Sequence, residues 1–292
     1  MKRAFVILVL CLLALLVVSE GVFAQVPQAP QLPMLRVPRI SQGAKVTQVV
    51  GMSEITIYYH RPGVKGREIW GKLLPYGEVW RAGANEPTLF TFSDEVTIEG
   101  KKLPAGTYRF VVIPTLGDWT VIFNSEVKNW GTVYEAKYDT LRFSVTPQAG
   151  PHEEWMSFSF TDLTANSTRV VLAWEKVRIG FKIEFNTLAR LQASVGTWQL
   201  LSAASRFALD NNMYFPEAMS WIDRALAIEK NANTLRTKAE LLAKAGKREE
   251  AITSGEEALK IFKAMDQSRM SQFQKDQFTA FEKLVADWKS KK

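Results

Sequence analysis

The chain has 292 residues, with 37 basic and 30 acidic side chains, a formal charge of +7, two His and one Cys. Hydrophobic residues make up 47% and charged residues 23%, which excludes a disordered chain and a polytopic membrane protein and leaves ample chain for a core. One Cys excludes an intrachain disulfide framework and a Cys-rich metal site, and two His leave little room for a His-rich one.

Lys2 and Arg3 precede an apolar run from Ala4 to Val18, followed by Ser19, Glu20, Gly21 and the triplet Val22-Phe23-Ala24. A basic start, a short apolar stretch and a small residue at the cut are the order of a secretory signal peptide, expected over residues 1–24. The run falls short of the ~20 residues that span a bilayer core. The expectation is therefore an exported protein, periplasmic or extracellular, with no transmembrane segment after cleavage. Cys11 leaves with the signal, and the loss of Lys2, Arg3 and Glu20 leaves 35 basic and 29 acidic side chains, a charge of +6. That charge is dispersed, so no nucleic-acid partner is expected. Residues 25–43 carry Pro27, Pro30, Pro33 and Pro38 among Gln residues and read as an extended spacer.

From 44 to 185 the period is two. Ile55, Ile57 and Tyr59 alternate with polar or wetter positions, as do Tyr108, Phe110 and Val112; the Trp119, Leu141, Met156 and Val170 runs follow the same pattern. The cleanest run is Val177, Ile179, Phe181, Ile183 and Phe185. Each such run buries one face of a strand and wets the other. Turn signals lie between them at Gly51-Met52-Ser53, Glu99-Gly100-Lys101, Pro104-Ala105-Gly106, Leu116-Gly117-Asp118 and Thr164-Ala165-Asn166. Many short strands without helical pattern between them predict an antiparallel β-sandwich or jelly-roll-like domain.

From 186 to 292 the period becomes helical, with Asn186 or Thr187 as N-cap. Ala218, Ala225 and Ile228 recur 33 residues later as Ala251, Ala258 and Ile261, with Ala239, Leu242 and Gly246 before the second set. The segment Ala239 to Ile261 resembles a tetratricopeptide repeat (TPR), and Trp198 to Ile228 a degenerate one. Small Ala residues let paired helices approach closely, and Gly246 suits the turn between them. A last helix, Gln272 to Trp288, would cap this small TPR-like domain. The expected fold class is thus β followed by α.

The stretch from Tyr58 to Glu86 has no strand period and is rich in Gly, Pro, Arg and Trp. Long ordered loops in compact domains often carry function. Arg61-Pro62, Gly66-Arg67, Ile69-Trp70-Gly71, Pro75-Tyr76-Gly77, Val79-Trp80-Arg81 and Gly83-Ala84-Asn85-Glu86 resemble the signature of a bacterial exported family known as the domain of unknown function DUF2911. The likeness continues through Gly100 to Tyr108, Trp119 to Asn124, Tyr138-Asp139 and Trp174-Glu175. It implies a family and a fold class and no activity. The family tends to have Ser where this chain has His60, which speaks against His60 as an essential catalytic group.

Arg61, Arg67 and Arg81 are planar donors suited to carboxylate, phosphate or sulfate. Asn85 and Glu86 add hydrogen bonding and Trp80 a flat face, so these six residues are candidates for a small-molecule or glycan site. The same residues have a structural reading, in which the arginines bind main-chain carbonyls and hold the loop shut. No Gly-x-Ser-x-Gly elbow or phosphate-binding Gly-Lys-Ser/Thr loop is present. His152-Glu153-Glu154-Trp155-Met156 starts like a zinc helix but has Met156 at the second His position, so no metal site and no cofactor are expected. In the helical part, Asn233, Arg236 and Glu240 fall at offsets that resemble the concave, protein-binding positions of repeat stacks. The leading reading is a non-catalytic envelope protein that binds a small ligand or glycan through its β domain and a protein partner through its helices. The alternative is an envelope hydrolase acting on a carbohydrate or ester, with Glu86 or Asp139 as the acid-base group.

Overall fold

The computed structural model describes residues 38–291; the expected signal peptide and most of the spacer lie outside the described residues. Two antiparallel sheets are followed by six helices.

The first sheet starts with β1 (Gln42–Val50) and β2 (Ser53–Arg61), joined through Gly51 at φ +60°, a left-handed conformation that suits Gly. β3 (Thr88–Phe92), β6 (Gly106–Ile113), β7 (Trp119–Asn124) and β8 (Asp139–Val145) complete it in the order β1-β2-β3-β6-β7-β8. The second sheet has the order β5-β4-β10-β9, from β4 (Val96–Ile98), β5 (Lys101–Leu103), β9 (Gln148–Thr161) and β10 (Ser167–Phe185). Glu99 (φ 46°) and Gly100 (φ 77°) make the two-residue turn between β4 and β5, where both central residues need positive φ.

The inward positions of both sheets meet in one core. Phe90 and Phe110 from the first sheet stack on or tilt against Phe181 from the second, at centroid distances of 6.2 and 5.8 Å. Each such ring contributes roughly 1.5–3 kcal/mol relative to exposure.

The two alternating runs on either side of Trp174 are one strand, β10. The inward residues change parity, from Val170 and Leu172 to Ile179 and Phe181, and the register shifts at Glu175, which has φ 54°. An extra residue at a bulge resets which face is inward, because side chains alternate with period two.

One expectation fails on β6. Arg109 stands on the face opposite Phe110, where alternation predicts water, yet it is 2% exposed. The cause is the segment between β7 and β8, whose Gly131 and Val133 carbonyls accept from the Arg109 guanidinium. That segment folds back over the outer face of the sheet, so β6 is buried on both sides.

The helices are α1 (Thr187–Ser194), α2 (Trp198–Asp210), α3 (Phe215–Ile228), α4 (Ala232–Lys244), α5 (Arg248–Ala264) and α6 (Gln272–Ser290). Asn186 caps α1 by accepting from the Ala189 amide, and Asn231 and Ser271 head capping boxes on α4 and α6. Ala218, Ala225, Ala239, Ala251 and Ala258 are all buried, which lets neighbouring helices approach closely. Gly246 takes φ +75° in the turn from α4 to α5. The helices meet the sheets at α1: Thr187 Oγ1 donates to the Ala165 carbonyl, and Arg190 pairs with Asp94 just before β4 at 3.1 Å. No helix among the described residues is long and apolar enough to cross a membrane.

Candidate functional site

The segment from Pro62 to Pro87, between β2 and β3, is an ordered structure fixed at both ends and in its middle. At its start it crosses to β9, where the Val64 amide donates to the Glu154 carbonyl at 2.8 Å and the Met156 amide to the Pro62 carbonyl at 3.1 Å. In its middle, Gly71 and Leu74 close a tight turn, and the Gly77 amide donates to the Pro114 carbonyl at 2.8 Å. Trp80 then exchanges two main-chain hydrogen bonds with Val112, of 2.7 and 2.8 Å. β3 stops pairing with β6 at Thr88 and Phe110, and Trp80 takes over that edge two residues further on. This single bridge sets Trp80 into the core and leaves Arg81 beside it.

Four indoles gather under the loop. Trp70 lies 4.7 Å from Trp119 and 5.8 Å from Trp80 between centroids, and Trp80 stacks on Trp174 at 5.7 Å. Offset and edge-on contacts of this kind add to the area each ring buries. The Nε1 of Trp70 and of Trp174 has no hydrogen-bond acceptor among the described residues, while Trp80 Nε1 donates to the Gly83 carbonyl at 3.3 Å.

Above this floor opens a cleft of about 620 Å³. Trp80 and Trp174 lie on its inner side; Pro62, Leu73 and Val79 form apolar wall; and Gly131 and Thr132 come from the segment that covers β6. Its charged lining is Lys65, Arg67 and Arg81 against Glu78 alone.

The candidate residues divide. Arg61 Nε donates to the Met156 carbonyl at 2.8 Å and its Nη2 to Trp155 at 3.4 Å, so it tethers the loop to β9. Arg67 folds onto its own turn, with Nε to the Val64 carbonyl at 3.0 Å and Nη2 to Gly63 at 2.5 Å, while still lining the cleft. Arg81 has one long hydrogen bond, from Nε to the Gly83 carbonyl at 3.4 Å, and no carboxylate partner among the described residues. Burial holds its pKa below the usual arginine range. Asn85, at φ 58°, turns its amide to the Ser41 carbonyl at 2.9 Å and fixes the start of β1. Glu86 stands 3.2 Å from His60 Nε2, with His60 almost fully buried. Of the six candidates, Arg67, Trp80 and Arg81 line the cleft.

Asp139 is placed elsewhere, at the start of β8. Its Oδ1 accepts from Asn124 at 2.9 Å, its Oδ2 from the Tyr134 hydroxyl at 2.7 Å, and Arg142 stands at 3.4 Å. Burial first, then this hydrogen bond, push the Tyr134 phenol up to about 12. Glu86 and Asp139 thus belong to separate clusters, each with its own partners. His152 lies inside β9; it stands 3.5 Å from Glu154, while Glu153 pairs with Arg178 at 3.1 Å. No group of three or more His, Cys, Asp or Glu suited to a metal occurs among the described residues.

Arg109 does not line the cleft but holds the segment that brings Gly131 to it, and strand alternation hides this role. Burial first, and then the Arg81 charge, hold its guanidinium below the usual range, with Glu126 opposing. A signal for it existed: in Tyr108-Arg109-Phe110-Val111-Val112 a single charge interrupts an otherwise apolar strand.

In the helical part, Arg236 Nη1 donates to Gln277 Oε1 on α6 at 3.0 Å and its guanidinium lies over the Phe278 ring at 5.2 Å. Glu240 accepts from Arg206 at 2.9 Å. Asn233 borders a groove of about 420 Å³ between α2, α4 and α6, together with Trp198, Phe262 and Phe278. Arg236 and Glu240 therefore knit the helices together, and Asn233 is the candidate that faces open space.

Residues 41–183 match the family described as "Protein of unknown function (DUF2911)". Searches of curated proteins and of solved structures each found no match.

Proposed function

We propose that this is an exported binding protein of the cell envelope, whose β part holds a small ligand or glycan and whose helices contact a protein partner. The reading treats the two sheets as a β-sandwich, supported by the single core they share. It treats the helices as a short TPR-like stack, supported by the 33-residue recurrence of buried Ala218 and Ala225 at Ala251 and Ala258. Export rests on the order of residues 1–24. Mass spectrometry of the chain recovered outside the inner membrane tests it, with Gln25 as the expected first residue.

The observation that carries the ligand reading is the cleft of about 620 Å³, floored by Trp80 and Trp174 and edged by Arg81. Its size lies in the ~300–1,000 Å³ range of small-molecule sites, which combine apolar walls with a few polar groups that fix orientation. A thermal-shift screen against glycans and metabolites tests it. The expected result is at least one chemical class that raises the melting temperature of the wild type but not of Arg81→Ala. A folded Arg81→Ala variant that keeps every response of the wild type rejects the cleft as the binding site.

For the helices, the groove beside Asn233 supports a partner that brings an extended segment with apolar side chains. Pull-down with wild type against Asn233→Ala, followed by quantitative mass spectrometry, should show partners that the variant loses.

A further inference from the structure

We propose that the ligand of the cleft is an organic oxyanion, its charge held by Arg81 with Arg109 behind it; this inference rests on the cleft being a binding site. The geometry starts at Gly131. Arg109 lies beneath it and donates through Nη2 to its carbonyl, and through Nη1 to that of Val133. Arg81 lies against the same residue, so near that a Cβ on residue 131 would stand 2.7 Å from Arg81 Cδ and 3.2 Å from its Nη1. Both arginines thus meet at one glycine.

Guanidiniums stay protonated in proteins, so both positive charges persist in this arrangement. Charges withdrawn from water are normally paired. Among the described residues, however, neither Arg81 nor Arg109 forms an ion pair with a carboxylate. The Nε of Arg109 is fully buried without an acceptor. Glu126 offsets Arg109 in part, but its Oε1 already accepts from the amides of Lys128 and Asn129 at 2.7 and 3.0 Å. Repulsion between like charges in a medium of low dielectric is relieved by an anion placed beside one of them.

The cleft supplies that place. Arg81 faces it with a planar fork suited to two oxygens of one group, and Lys65 and Arg67 leave its lining net positive against Glu78. Pro62, Leu73, Val79 and Trp80 would receive the less polar body of the molecule. A neutral glycan would leave the positive charge uncompensated. The inference therefore narrows the class to molecules carrying a carboxylate, a sulfate or a phosphate ester.

Matched pairs test this by isothermal titration of the full mature chain. The pairs are galacturonate with galactose, glucose 6-phosphate with glucose, and 4-phenylbutyrate with 4-phenylbutanol, and inorganic sulfate and phosphate are titrated alone. The expected result is that at least one anionic member binds tenfold or more tightly than its neutral partner. That advantage should fall below threefold in Arg81→Gln and be reduced in Lys65→Gln, an exposed rim position whose change leaves the fold intact. The carboxylate and phosphate pairs distinguish the two sources of the charge. If neutral members bind as well as anionic ones and Arg81→Gln leaves them untouched, the anion inference falls and the cleft reading stands. If no organic probe and neither inorganic ion binds, both fall together.

Discussion

Gly131 lies so close to Asn85 that a Cβ at position 131 would stand 2.5 Å from the Asn85 main-chain oxygen. Gly131→Ala therefore has to move the main chain of one of two segments, because the nearest contact atom is a main-chain oxygen rather than a side chain that could swing away. The movement pulls the Gly131 carbonyl from Arg109, which then loses one of the two acceptors on which it depends. The expected cost is about 1–3 kcal/mol, in the range of overpacked sites. Urea unfolding of the variant should show a lower midpoint at unchanged slope. An unchanged midpoint would mean that the segment covering β6 yields freely, and would remove the rigid backing of the cleft.

The same segment has a second anchor at Tyr134, which donates to Asp139. Its phenol is raised to about 12, so the contribution to stability is intact below ~10, the ordinary phenol value, and is lost as pH climbs through the folded value. Near-ultraviolet titration should show a late-ionising fraction among the seven tyrosines. Tyr108, raised by burial, also belongs to that fraction. Tyr134→Phe should remove its own share and leave the Tyr108 share in place; a titration curve unchanged in shape would reject the hydrogen bond.

These anchors explain how much of the molecule was legible in the sequence. The strands with strict alternation, such as β2 and β8, are visible because one face of each meets the core and the other water. β3, β4 and β5 are too short to declare a period, and β1 is an edge strand with little buried. That Arg61 and Arg67 bind main-chain carbonyls and hold the loop shut was one of the two roles legible for them, but not which carbonyls, up to 95 positions away; Asn85 was legible only as a hydrogen-bonding residue. Arg109 was hidden because its environment is made by a segment that follows β7, and local periodicity carries no information about what later folds over a strand. Trp80 entered the candidate set as a flat face. Its one-residue pairing with Val112 could not be read locally, since it depends on where β3 ends.

Asp94 and Arg190 join the sheets to α1 through a pair at 3.1 Å. Burial tends to raise the Asp94 carboxyl, but hydrogen bonds from Ser53 and Ser93 and the Arg190 charge outweigh it and hold the pKa below the usual value. The contribution to stability is therefore present above ~3.9, the ordinary value, and is lost as pH falls through the lower folded value. Asp94→Asn should melt on the order of 2 °C below the wild type at pH 7, and the gap should close as acidification passes through the lowered folded value. A gap that persists unchanged at acid pH would assign the effect to shape rather than charge.

Gly255, in the middle of α5, answers why a helix keeps a residue that costs it ~1 kcal/mol relative to Ala. A Cβ there would lie 2.7 Å from Val285 Cγ2 and 3.5 Å from Phe281 Cζ, both on α6. The glycine therefore sets the closest approach of the last two helices, and α6 buries Phe278, Phe281 and Val285 against that surface. Gly255→Ala sets a gain in helix propensity against this clash. Gly255→Leu has no such balance and should force α6 outward, lowering stability by about 1–3 kcal/mol. Because Gln274, Gln277 and Phe278 of α6 line the groove beside Asn233, the same change should also alter capture of any partner held there. Gly246→Ala is the control: it strains a φ of +75° with no atom in the way, at a cost of ~1–2 kcal/mol, and leaves the groove unchanged. If Gly255→Leu melts with the wild type while Gly246→Ala does not, α6 does not pack on Gly255 in solution. The groove would then have no fixed third wall.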